Sequence, residues 1–205
     1  MERYKYPRTF HLPWSLGATD DDKMHATFSL EGDVVVTEKM DGENTTIYAD
    51  GHSHARSLDS NNHPSRNMVR AIAARVASEG FPENLRICGE NCYAQHSIAY
   101  RNLPGFFLIF SIWDGDTVLS WDETEMWAAL LGIPTVPVLY RGPWDEARIR
   151  SLMGDTDTME GYVVRPAGAF DRNDFSRLVG KFVRANHVQS ETHWKKNWVP
   201  NAIGG

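Results

Sequence analysis

Lys39, Met40, Asp41 and Gly42 open an ordered series of residues that could carry out one reaction. Glu90 follows, then the aromatic run at 106–110, then Glu160-Gly161-Tyr162-Val163-Val164-Arg165, then Val179-Gly180-Lys181. A lysine attacks only as the neutral amine, so burial, neighbouring cations or both must lower its pKa. Lys181 and a divalent metal would supply the cationic surroundings. An uncharged Lys39 amine could then attack the α-phosphate of a nucleoside triphosphate, releasing pyrophosphate and leaving a phosphoramidate. Charge grows on the phosphate oxygens in such a transition state, and cations stabilise it; Arg56, Lys181 and Arg184 are candidates. Glu90 ends an apolar run beside Gly89 and could accept a ribose hydroxyl or help to hold a metal. Glu160 opens another run and would face the metal. Magnesium takes few protein carboxylates and keeps phosphate oxygens and waters, which suits two acids at separate strand ends. The 106–110 run alternates faces as a strand, so most of its rings are core. Phe110, read as nearest the strand end, is assigned to stack on a purine. His187, His193, Trp194, Lys195 and Lys196 suit contact with phosphate and base, or equally an ordinary C-terminal docking segment.

The elements that must position these residues follow from pattern. Residues 33–37, 45–49 and 52–57 read as strands, with Asp50-Gly51 as a hairpin turn. Residues 39–44 therefore fall in a loop, where a side chain can meet a ligand without disturbing packing. Met68, Ile72 and Val76 mark a helix over 65–79, stopped by Gly80. Residues 85–90 and 106–113 read as buried strands, with Asp114-Gly115 as a second turn. Ser120 and Glu123 form a capping box for a helix carrying Met126, Trp127, Leu130 and Leu131, closed by Gly132. A further helix covers 144–153, with Ile149, Leu152 and Met153 inward, and strands cover 162–165 and 178–183. An N-terminal arm, 1–32, is expected to run extended and to contain a short helix capped by Asp20, Asp21 and Asp22. These elements make an α+β fold of largely antiparallel sheets with flanking helices, one domain over 1–205, with 185–205 a C-terminal segment and not a separate domain.

The chain of 205 residues has a formal net charge of −6, whereas nucleic-acid binders are more often basic. Local distribution can override the total. Arg172, Arg177, Lys181, Arg184, Lys195 and Lys196 gather in one stretch, either a polyanion path or a solvated face. Two cysteines, Cys88 and Cys92, are too few for a disulfide framework and lack the partners of a zinc site, so they read as small buried residues. No apolar leader or membrane-spanning run stands out, and a cytoplasmic, reduced protein is expected.

Taken in order, these residues resemble the ATP-dependent RNA ligases of the covalent nucleotidyltransferase superfamily, a likeness running from about Glu38 to Arg184. The closest look is to phage-type enzymes that seal nicks in duplex RNA, and to their small bacterial relatives. The resemblance implies the nucleotidyltransferase (ATP-grasp-like ligase) fold. It makes Lys39 the adenylylated lysine, within a first motif that includes Glu38, Asp41, Gly42 and Asn44. Asn44 would serve phosphate handling and sealing. Arg56 would contact AMP and the 5′-phosphate, Glu90 the ribose, Phe110 the adenine, Glu160 the metal and Lys181 the α-phosphate. ATP and Mg2+ or Mn2+ are the implied cofactors, and RNA with 5′-phosphate and 3′-hydroxyl ends the implied partner, engaged also by Arg184, His187, Lys195 and Lys196. Two positions depart from the pattern. Val183 stands where a second lysine often lies, with Arg184 after it, and Ser111 stands where an acid commonly follows the adenine-stacking aromatic. The stretch after Lys181 is expected to be too short for the additional RNA-engaging domain of many relatives, so the segment Ala185 to Trp198, or a separate protein, could do part of that work. A DNA ligase, a capping guanylyltransferase and a non-catalytic module that binds nucleic-acid ends are the alternatives.

Overall fold

The computed structural model of the protein describes residues 2–60, 63–185 and 198–204. Two sheets face one another. The first contains β1 (Phe10–His11), β2 (Asp33–Lys39), β8 (Val138–Pro143), β9 (Gly161–Pro166) and β11 (Gly180–Val183), in the order β1-β11-β9-β2-β8. The second contains β3 (Glu43–Tyr48), β4 (Ser53–Ala55), β5 (Leu85–Asn91), β6 (Phe107–Asp114), β7 (Thr117–Val118) and β10 (Phe170–Asp171), in the order β10-β7-β6-β5-β3-β4. All neighbouring named strands are antiparallel except β1 and β11. The largely antiparallel α+β expectation therefore holds.

Alternation along each strand divides the core into layers. In β2, Val34 and Val36 join an outer cluster with Leu12, Phe28, Tyr162 and Val164, whereas Val35 joins Met40, Leu108 and Trp121 between the sheets. In β6, Phe107 and Ile109 face outward with Ile47 and Ile87, and Leu108 faces inward. Helix α1 (Asn67–Ser78) and helix α2 (Trp121–Leu131) cover the outer face of the second sheet through Val69, Ala73, Val76, Ala128 and Leu131. Short α3 (Glu146–Arg150) closes the outer face of the first sheet with Ile149. A four-residue helix, α4 (Phe175–Leu178), precedes β11.

Several expectations need correction. The short helix capped by the aspartates does not form among the described residues; Asp22 instead accepts hydrogen bonds from Thr19 N and Oγ1, closing a turn. Lys39 is the last residue of β2, and Glu43 and Asn44 already belong to β3, so the loop is only Met40–Asp41–Gly42. Phe110 lies in the middle of β6, not near its end. Met68 is 41% exposed; α1 buries Val69 and Ala73 together with the expected Val76, and Ile72 packs partly buried against the same cluster. The helix expected over 144–153 is confined to α3, with Asp145 capping Arg148 N. Strand β8 was not anticipated: Gly142 and Pro143 are poor strand formers, yet an edge strand tolerates them because only one side pairs.

Candidate active site

The chain passes from the first sheet to the second directly after Lys39. Gly42 is required in that crossing, since a Cβ there would lie 2.6 Å from the Asn91 carbonyl oxygen. Asp41 fixes the turn: its Oδ2 accepts from Ser97 N at 2.7 Å, Ser97 Oγ at 2.7 Å and Ile98 N at 2.8 Å, while its own amide donates to Tyr100 Oη at 2.9 Å.

Between the sheets lies a cleft of about 1280 Å³. Register explains its lining. Lys39 stands opposite Gly161, and Lys181 stands opposite Val163, so three adjacent strands bring both lysines to the inner face. From the facing sheet, Asn44 stands opposite Glu90. In β6 the pairing slips: Cys88 opposes Ser111 but Gly89 opposes Ile109, leaving Phe110 as the extra residue of a β-bulge. A bulge re-aims side chains, and here Phe110 and Ser111 both line the cleft. Thus Glu38, Lys39, Asp41, Gly42, Asn44, Arg56, Glu90, Phe110, Glu160 and Lys181 all border one space. Arg184 does not; its amide donates to the Glu160 carbonyl at 3.0 Å, holding the acid's backbone. His187, Lys195 and Lys196 lie outside the described residues.

Lys39 Nζ donates to both carboxylate oxygens of Glu160 at 2.6 Å. Glu160 is 1% exposed and Lys39 25%. Burial opposes the lysine's charge, but Glu160, Glu90 and Asp41 outweigh it and raise the Lys39 pKa. This reverses the expectation of a lowered pKa: the surrounding carboxylates favour the protonated amine. Lys181 moves the other way, to about 8, through burial first and then the charge of Lys39. Burial, with the fields of Glu160, Asp41 and Glu43, pushes Glu90 up to about 8 against the opposing pull of Lys39. Burial also raises Glu38.

Among the described residues no group of three His, Cys, Asp or Glu converges as a metal cage. A hard cation carried on phosphates needs few protein carboxylates, and Glu160, buried against Lys39, is the one that could meet it. Cys88 and Cys92 are buried free thiols, as expected.

Several cleft residues escaped the sequence reading, Tyr6, Arg66 and Arg165 among them. Tyr6, from the arm, meets Phe110 edge-on with ring centroids 5.2 Å apart. Arg66 forks onto Glu43, with Nε donating to Oε2 at 2.6 Å, and both line the cleft. Arg165, quoted within its motif but given no role, points inward from β9 and is 5% exposed. Inward alternation from Val163 to Arg165 was the available signal.

The profile of the RNA ligase family matches residues 32–183. The chain belongs to the RNA ligase family. Solved structures agree on the fold. A lysine-to-alanine variant of the Naegleria gruberi RNA ligase with ATP and Mn superposes with a TM-score of 0.51 at 20% identity, covering 76% of this chain and 50% of that one. A putative ATP-dependent DNA ligase from Aquifex aeolicus gives 0.52 at 21% identity, covering 76% and 44%. An archaeal ATP-dependent RNA ligase gives 0.50 at 20% identity, covering 76% and 43%. The chain thus spans half or less of each of these proteins. No curated protein matches it. In this RNA ligase family member no helix among the described residues is long and apolar enough to cross a membrane.

Proposed function

We propose that the protein is an ATP-dependent RNA ligase acting through a lysyl-AMP intermediate. The observation that carries the reading is the Lys39–Glu160 pair, which shares the inner face of one sheet with Lys181 while Phe110 and Glu90 face it from the other. Nucleophile, phosphate-binding cation and base-stacking ring are thereby assembled around one cleft.

The neutral Lys39 amine attacks the α-phosphorus of ATP. A P–N bond forms, the bond to the β-phosphate bridging oxygen breaks, pyrophosphate leaves and the amine loses its proton. An oxygen of an RNA 5′-phosphate then attacks the same phosphorus, breaking the P–N bond and returning the lysine. Finally a 3′-hydroxyl attacks the activated 5′-phosphate and expels AMP. Lys181 sits to neutralise the α-phosphate, Glu90 to accept a ribose hydroxyl, and Phe110 with Val163 to flank the base. Asn44 and the exposed Arg56, which border the cleft, are assigned to the phosphates and the RNA end; Arg184, outside the cleft lining, and His187, Lys195 and Lys196, outside the described residues, are assigned to RNA as well. A divalent cation at Glu160 would compete with Lys39 for the carboxylate and offset phosphate charge. Lys39 must leave Glu160 before it can attack, and positioning and electrostatics supply most of the rate.

Labelling with α-phosphate-labelled ATP tests the reading. Wild-type protein acquires one adenylate and Lys39→Ala acquires none. Undiminished labelling of that variant would move the nucleophile elsewhere. Nicked duplexes with ribose or deoxyribose at the 3′-hydroxyl then distinguish RNA from DNA sealing.

A further inference from the structure

Residues 198–204 lie as a strap along the stretch 92–103, joined to it by backbone hydrogen bonds. Gln95 N donates to the Val199 carbonyl at 2.8 Å, Asn201 N to the Tyr93 carbonyl at 2.8 Å, Ala202 N to the Tyr100 carbonyl at 3.0 Å and Leu103 N to the Ala202 carbonyl at 3.1 Å. The strap hides little apolar surface: Val199 is 56% exposed and Ile203 47%. Asn201 is the one residue of 198–204 that is buried, at 5% exposed. A side-chain amide is costly to bury unless its groups are paired. Here they are: Nδ2 donates to the Cys92 carbonyl at 2.7 Å and the Ala94 carbonyl at 3.4 Å, and Oδ1 accepts from Tyr100 N at 2.8 Å.

The stretch that Asn201 clasps is the one that fixes the turn after Lys39. Ser97 N, Ser97 Oγ and Ile98 N donate to Asp41 Oδ2, and Asp41 N donates to Tyr100 Oη at 2.9 Å. Tyr100 is therefore held at its backbone by Asn201 and holds Asp41 through its hydroxyl. Its ring packs on the cluster that contains Met40, Cys92 and Leu103. Two side chains thus connect residue 201 to Asp41, which lies two positions after Lys39. Neither Tyr100 nor Asn201 borders the cleft, so neither touches a nucleotide seated there.

We infer that Asn201 and Tyr100 are positioning residues for the Lys39 nucleophile: Asn201 locks the 92–100 stretch, and Tyr100 carries that constraint through the Asp41 amide to the turn that aims the lysine. The role rests on the adenylyltransferase reading. It gives a segment beyond the family match at 32–183 a part in the first step. Lys39 must leave Glu160 and meet the α-phosphorus in line, and a misplacement of about 1 Å in such an approach costs on the order of 100-fold in rate. Sealing of an RNA end that already carries AMP makes no bond to the lysine, so it does not share this demand.

Tyr100→Phe deletes the hydroxyl alone, and Asn201→Ala deletes the carboxamide. Each is compared with wild type in single-turnover adenylylation at saturating ATP, in sealing of RNA that already bears AMP on its 5′-phosphate, in ATP binding on a Lys39→Ala background, and in thermal melts. Both variants slow adenylylation by at least about 10-fold, whereas ATP affinity and the sealing of adenylylated RNA stay within about twofold of wild type. Amide exchange of residues 38–44 quickens by at least about 10-fold in both, with β6 unchanged. Unaltered adenylylation by Tyr100→Phe overturns the inference. So does an equal loss in adenylylation and in sealing of adenylylated RNA, which would mark the strap as a general stabiliser. Should Asn201→Ala fail to fold, Tyr100→Phe, which leaves the strap in place, decides alone. Absence of labelling in wild-type protein would instead remove the enzymatic reading and the catalytic part of this role with it; amide exchange at 38–44 then still decides whether the strap holds the turn.

Discussion

Glu90 and Lys39 show how the same burial produces opposite outcomes beside different neighbours. Lys39 keeps its charge because Glu160 chelates its ammonium at 2.6 Å, whereas Glu90 has no comparable partner among the described residues and is pushed up to about 8 by burial. The sign of the linkage follows. An unfolded glutamate ionises near 4.5, so between that value and about 8 the unfolded chain carries fewer bound protons than the native one, and stability falls as pH rises across the window. Glu90→Gln removes this dependence. Thermal melts should show the variant gaining on wild type steadily from pH 5 to pH 8; a difference independent of pH would mean that Glu90 is ionised in the native protein. The residue types were legible in the sequence here. Their charge states were not, because the raised Lys39 pKa depends on Glu160, which reaches it only through the pairing of β2 with β9.

At the level of elements, sequence pattern located most strands and both main helices, and it erred where packing partners decide the face. The capping box of Ser120 and Glu123 and the left-handed Gly132 at the end of α2 were local signals and formed as expected. The inward face of α1 was misread by one residue because Met68 and Val69 are both apolar, and only contact with Ile47 and Ile87 selects Val69. Strand β8 was missed since its pairing comes wholly from β2. The bulge at Phe110 has no sequence signature either, although it carries two cleft residues. Gly161 is the most constrained glycine of the site. A Cβ there would lie 1.9 Å from the Phe182 carbonyl oxygen, so β9 and β11 approach closely only because that position is bare. Gly161→Ala should force the strands apart, costing about 1–3 kcal/mol of stability in denaturant titrations. It should also lower adenylylation, because Lys39 pairs opposite Gly161 and Lys181 sits on the displaced strand. Wild-type stability in that variant would show that the two strands can absorb a methyl group.

Across the whole molecule, the cleft is a seam between two independently hydrogen-bonded sheets, joined at the site by the short turn after Lys39. The arm closes one side, with β1 pairing to β11, Trp14 Nε1 donating to Tyr162 Oη at 2.8 Å and residues Lys5 to Thr9 bordering the cleft. The facing of the sheets was not legible, since alternation tells that a strand has two faces but not which sheet each face meets. A nucleotide seated as proposed touches Lys181 and Glu160 on one sheet and Phe110 and Glu90 on the other, so it should act as a tie across the seam. Any ligand that binds only the folded state stabilises it by about 2.7 kcal/mol at a hundredfold excess over Kd. For a chain of this length that corresponds to a rise of roughly 5–10 °C in Tm. Lys39→Ala cannot form the covalent bond but keeps the other contacts, so ATP should still raise its melting temperature. Amide exchange should slow in β5 and β6 as well as in β9 and β11. Protection confined to one sheet would show that the nucleotide does not span the seam, and would place its base away from Phe110.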